Sequence, residues 1–97
     1  MSKADPSLLT IPVALPPNIR QWSSNHVQTF LKANQEEYDL SDEHISAIRK
    51  EQVNGRALLR QNEGSLRRYG IPDGPVLCIM DLITEVKRNK GILKPGK

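Results

Sequence analysis

One cysteine, one tryptophan and one phenylalanine stand in 97 residues, and these scarcities exclude several kinds of protein at once. A lone thiol, Cys78, forms no internal disulfide and completes no zinc site, and the two histidines lie far from it in sequence. No apolar run approaches the roughly 18 residues that a bilayer-crossing helix needs. The N-terminus lacks the charged region and apolar run of a secretory signal, so no membrane is implied and an intracellular, cytoplasmic site is the expectation. Neither a phosphate-binding loop nor a nucleophile elbow occurs. A catalyst is not expected, and no cofactor or metal is implied.

What is present is an ordinary soluble composition, 37% hydrophobic and 26% charged. A single domain of this length buries only about 60 to 65% of its unfolded surface, so its core is small. The net charge of +3 does not choose a partner, but its distribution is uneven. Glu36, Glu37, Asp39, Asp42 and Glu43 form an acidic block uninterrupted by any base. Arg49, Lys50, Arg56, Arg60, Arg67 and Arg68 follow against Glu51 and Glu63 alone, and Lys87, Arg88, Lys90, Lys94 and Lys97 collect at the end.

Residues 1–18 hold Pro6, Pro12, Pro16 and Pro17, four of the seven prolines. They are denied helical hydrogen bonds and are expected to form a flexible, extended arm. Ile11, Val13 and Leu15 alternate there, so part of the arm can lie along the domain or present itself to a partner. Residues 90–97, with Gly91, Pro95 and Gly96 among lysines, are expected to be a flexible basic tail. The folded domain is placed at residues 19–89, as a piece of a longer protein.

Between these ends the pattern is helical. Ser23 and Ser41 each follow a large apolar residue (Trp22, Leu40) and precede another by four positions (Val27, Ile45). That spacing is a serine cap with a hydrophobic staple, and it predicts two helix starts. Asp42 and Glu43 fall in the first turn of the second helix and Arg49 and Lys50 in its last, as the helix dipole prefers. Asn54 and Asn62 can cap two very short helices carrying Leu58, Leu59, Leu66 and Tyr69, the second ended by a left-handed Gly70. Pro75 suits the first turn of a final, longest helix. That helix has an apolar stripe of Val76, Ile79, Met80, Ile83 and Val86, widened by Leu77 and Leu82.

Several residues read as structural. Cys78 lies in the apolar helix with no nearby base to activate it, and His26 and His44 fall near the third position of their helices, where a ring bonds locally. Glu36 and Glu37 are adjacent and diverge on a helix, so they make no acid–base pair. Trp22 is expected in the core.

Trp22, Ser23, Val27, Phe30 and Leu31, followed by Val53, Asn54, Gly55, Leu58, Leu59, Leu66, Gly70, Ile71, Gly74 and Pro75, resemble a sterile alpha motif (SAM) domain. The resemblance extends from Trp22 to about Lys87. Within the family, Glu51 to Gly55 with Gly70, Ile71, Gly74 and Pro75 are most similar to the N-terminal SAM domain of large interferon-linked cytoplasmic proteins. The resemblance implies an all-α, compact five-helix bundle with a longer C-terminal helix and an extended N-terminal arm. It also implies a protein-interaction module of a signalling or scaffold protein. Such domains pair through an acidic mid-loop face, which Glu36, Glu37, Asp39, Asp42 and Glu43 can supply, and an end-helix face, here Asp73, Gly74, Pro75, Val76 and Cys78.

The end-helix face departs from the family, which often has Arg or Lys where Val76 and Cys78 stand, and Asp73 adds a negative charge. Gln61 is a second departure, at a position where the family often has leucine. The expected partner is another SAM or helical domain, with weak or no homo-polymerisation. Tyr38, among acids, is a candidate contact or, as in some receptor-borne SAM domains, a phosphorylation site. The alternative is an RNA-hairpin or other nucleic-acid binder using Arg49, Lys50, Arg56, Arg60, Arg67 and Arg68, although the aromatics that stack unpaired bases are absent. A helix-turn-helix reading is weakened by the lack of one long polar recognition helix.

Overall fold

The computed structural model describes residues 9–93, with side chains described through residue 88. The order is a 3₁₀ turn, Ile19–Gln21, then α1 (Ser24–Ala33), α2 (Asp42–Lys50), α3 (Gly55–Leu59), α4 (Glu63–Arg68) and α5 (Asp73–Leu93). Among the described residues there is no strand, and the bundle is the five-helix, all-α arrangement expected.

Local chemistry starts each of the first four helices. Ser23, Ser41, Asn54 and Asn62 are the N-caps, each accepting a hydrogen bond from the backbone N–H three residues on. Three of the caps are reciprocal. His26 and His44 return a bond through Nδ1 to the backbone N–H of Ser23 and Ser41, at 2.9 and 3.1 Å, and Ser65 Oγ does the same for Asn62 at 3.0 Å. The acceptor role of Nδ1 requires it to be unprotonated in both rings. Helices of five and six residues do not stand alone in water. Both therefore depend on Leu58 and Leu66, which are wholly buried.

The packing follows from these short pieces. α1 lies on α2 and α3, α3 on the 3₁₀ turn and on α5, and α4 on α5. Val76, Ile79, Leu82, Ile83 and Val86 run along the buried side of α5 and meet Val27, Phe30, Leu31, Ile45, Ile48 and Leu58 in one core. Leu77 departs from the expected stripe and is 52% exposed, because one residue beyond Val76 turns it about 100° away from the core. Gln61 fills no core position. Its Oε1 accepts from Ser65 Oγ at 2.6 Å and its Nε2 donates to the Ala57 carbonyl at 3.1 Å, joining α3 to α4.

The two ends of the chain differ in part from expectation. Of the two dispositions open to the arm, residues 9–18 take the one along the domain. Leu15 is buried, Leu9 and Ile11 pack against the core, and Val13 is fully exposed. The indole Nε1 of Trp22 donates to the Pro16 carbonyl at 2.8 Å. At the other end α5 continues to Leu93, past the expected start of the tail at residue 90. A single glycine, Gly91, weakens a helix without stopping it. The remaining arm and tail, residues 1–8 and 94–97, lie outside the described residues.

Glycines separate two kinds of constraint. Gly70 has φ +90°, so it closes α4 in the left-handed region as predicted. Gly55 is held by proximity, because a Cβ there would overlap the Ile19 carbonyl oxygen and press on Trp22 Cβ. Gly64 is exposed, and a Cβ would meet only Asn62 Oδ1, at 3.3 Å. Alanine should therefore cost most at Gly55, above about 3 kcal/mol because backbone has to move. At Gly70 the cost should be about 1 kcal/mol, and at Gly64 it should be within about 0.5 kcal/mol of neutral. Urea melts of the three variants check the ranking, and a Gly64→Ala loss exceeding either of the others would contradict it.

Candidate functional site: an acidic face of the α1–α2 loop, α2 and α5

α1 stops at Ala33, where Asn34 takes the C-cap, and residues 34–39 turn back to deliver Leu40 into the core. Two backbone bonds shape this loop, Tyr38 N–H to the Asn34 carbonyl at 3.1 Å and Leu40 N–H to the Gln35 carbonyl at 2.9 Å. Asp39 sits at φ +54°, a left-handed position that short polar side chains tolerate. The loop and the start of α2 hold Glu36, Glu37, Asp39, Asp42 and Glu43 in one stretch, and all five are exposed.

Asp42 differs from its neighbours by having internal partners. Its Oδ1 accepts from Gln35 Nε2 at 2.9 Å and lies 3.6 Å from Lys32 Nζ. The Gln35 hydrogen bond first, and the Lys32 charge second, hold its carboxyl below the ordinary value of 3.8. Glu36, Glu37, Asp39 and Glu43 make no ion pair among the described residues. A shallow open depression of about 440 Å³ lies beside Asp42 and Glu43, floored by Ser46 and Ala47 and bounded by Lys50.

Tyr38 joins this face to another helix. The ring is half-buried against the core, and its hydroxyl is pushed above the ordinary 10.0 by burial first, then by Glu85, Asp81 and Glu37. The acidic loop and the α5 pair Asp81 and Glu85 thus share one electrostatic neighbourhood. Sequence reading missed these two, since they lie more than 40 residues beyond Tyr38. The signal that could have found them is their i, i+4 spacing off the apolar stripe of α5.

The other candidate residues are distributed differently. At the start of α5, Asp73 and Gly74 are exposed, Pro75 and Cys78 are intermediate, and Val76 is wholly buried. Val76 therefore leaves the expected end-helix set, because a side chain at the centre of the core stripe has no surface to offer. Leu77 takes the exposed position beside it. The charge on Asp73 is also offset, since Arg67 Nε donates to its Oδ1 at 2.7 Å while Arg67 Nη2 lies 3.3 Å from Glu63 Oε1. Arg49, Lys50, Arg56, Arg60 and Arg68 are exposed and make no ion pair among the described residues. Arg67 is committed to clasping α4 to α5.

Among the described residues no three His, Cys, Asp or Glu side chains gather as metal ligands, and no helix is long and apolar enough to cross a membrane. The described residues form an all-helical bundle of short capped helices on one long terminal helix, with exposed charge on its surface. The family model of the SAM-like domain matches residues 2–85, and the chain belongs to that family, whose members are in general non-catalytic interaction modules. No curated protein and no solved structure matches the chain.

The Tyr38 neighbourhood gives a pH prediction. A raised tyrosine value means the neutral ring is favoured in the fold. Its contribution is intact below 10.0 and is lost as pH climbs through the folded value. The Tyr38 ring resonances should titrate above pH 10.0, and Asp81→Asn with Glu85→Gln should move the midpoint down. An unchanged midpoint in the double variant would remove α5 from this face.

Proposed function

We propose that this domain is a non-catalytic protein-binding module of a larger cytoplasmic signalling or scaffold protein. In this reading it docks a partner SAM or helical domain on the face carrying Glu36, Glu37, Asp39, Asp42 and Glu43, extended by Asp81 and Glu85. The observation that carries the reading is the exposure of all five loop and α2 carboxylates, four of them with no internal ion pair among the described residues. The partner presents a helix N-terminus flanked by Lys or Arg, so that dipole and side-chain charge meet the carboxylates. Such an interface is small and steered by charge, and its affinity falls with added salt. Self-association is weak, because the pair Asp73–Arg67 and the buried Val76 leave the start of α5 without a free cationic cluster.

The choice of test residues follows from the geometry. Reversing Asp42 also breaks its contacts with Gln35 and Lys32, and reversing Asp39 disturbs a left-handed residue, whereas Glu36 and Glu43 have no such ties. Glu36→Lys with Glu43→Lys should weaken binding to SAM domains bearing a basic end-helix face by roughly tenfold or more, with a shallower salt dependence. For the nucleic-acid alternative, Arg60→Glu with Arg68→Glu spares the Arg67 clasp and is titrated against a hairpin RNA. RNA binding abolished by the arginine variant, with no SAM domain affected by the glutamate variant, would overturn the proposal.

A further inference from the structure

The segment 9–16 is held on the domain both by apolar packing of Leu9, Ile11 and Leu15 and through its backbone. The backbone N–H of Thr10 donates to Asn34 Oδ1 at 2.8 Å, and the Thr10 carbonyl accepts from Asn34 Nδ2 at 2.8 Å. The second hydrogen of the same Nδ2 goes to the Phe30 carbonyl at 2.9 Å. Asn34 is wholly buried, so its amide serves as a fixed peptide-like edge, pairing with Thr10 as one strand residue pairs with another. Thr10 itself is exposed, while Leu9 and Ile11 on either side pack against the core. Trp22 Nε1 holds the Pro16 carbonyl at the far end of the segment.

The site therefore accepts a stretch with an apolar residue on each side of one whose backbone alone is contacted, followed by a turn that Leu15 N–H closes on the Pro12 carbonyl at 3.1 Å. Asn34 is also the residue from which the acidic loop departs, since its carbonyl accepts from Tyr38 N–H. We propose that residues 9–16 are a built-in ligand of a backbone-reading site at the end of α1, and that their seating fixes the conformation of the acidic loop, residues 34–40. Unseating the segment breaks no helix. It leaves the Asn34 amide without its strand partner, and an amide so placed turns toward water and takes the C-cap of α1 and the loop with it. That the loop is a binding face rests on the reading under Proposed function; its ordering by residues 9–16 does not.

Hydrogen exchange on the full chain, with no partner present, separates the two. Thr10→Pro removes the N–H that Asn34 contacts, and Thr10→Ala removes only an exposed side chain. In Thr10→Pro the Tyr38 and Leu40 amides should exchange roughly tenfold faster while Ile79 and Ile83 in α5 keep their rates, and Thr10→Ala should match the parent. A synthetic peptide of residues 9–17, added at about millimolar concentration to match the lost tethering, should slow Tyr38 and Leu40 again in the proline variant. Unchanged loop exchange, acceleration shared equally by α5, or no response to the peptide would each overturn the proposal.

Discussion

The fold depends on one close approach of backbone to backbone. Gly55 N–H donates to the Trp22 carbonyl at 3.0 Å, and no side-chain atom fits between Gly55 and the Ile19 carbonyl. This seam joins the 3₁₀ turn to α3, two elements too short to hold a conformation by themselves. Trp22 stands at its centre. Its ring is tilted against Phe30 with centroids 5.1 Å apart, its backbone N–H bonds the Ile19 carbonyl, and its indole N–H holds Pro16. Once the seam is closed, Leu58 is delivered to the core and α3 offers a surface on which α1 and α5 both pack.

Charge is then arranged around that frame rather than inside it. The four identified ion pairs all involve exposed or half-exposed side chains, and such pairs add little stability. They act on geometry instead. Lys32 and Gln35 tie the start of α2 to the end of α1 through Asp42, and Arg67 clasps α4 to the first turn of α5. What they leave over is a carboxylate-rich face on one side of the domain.

Features written in neighbouring residues were legible in the sequence. The four N-caps and the left-handed Gly70 each depend on residues within about five positions, and the structure has all of them; Trp22 and Val27, the expected staple pair, are both buried in the core. Features that join distant residues were not legible. Gly55 was readable as part of a helix start, but its contact with Ile19 spans 36 positions; Asn34 and Thr10 are 24 apart, and Tyr38 and Glu85 are 47 apart. Val76 shows a different failure. Its spacing claims it for the apolar stripe and the family resemblance claims it for a binding face, and one side chain cannot do both; it is buried in the stripe.

Trp22, the one tryptophan, reports directly on the seam. If closure of the 3₁₀ turn on α3 is the constraint that the rest of the domain depends on, urea unfolding followed by Trp22 fluorescence and by far-ultraviolet circular dichroism should superimpose as one transition. A fluorescence change completed at lower urea, with helical dichroism still intact, would show that the bundle holds without the seam and would contradict the account.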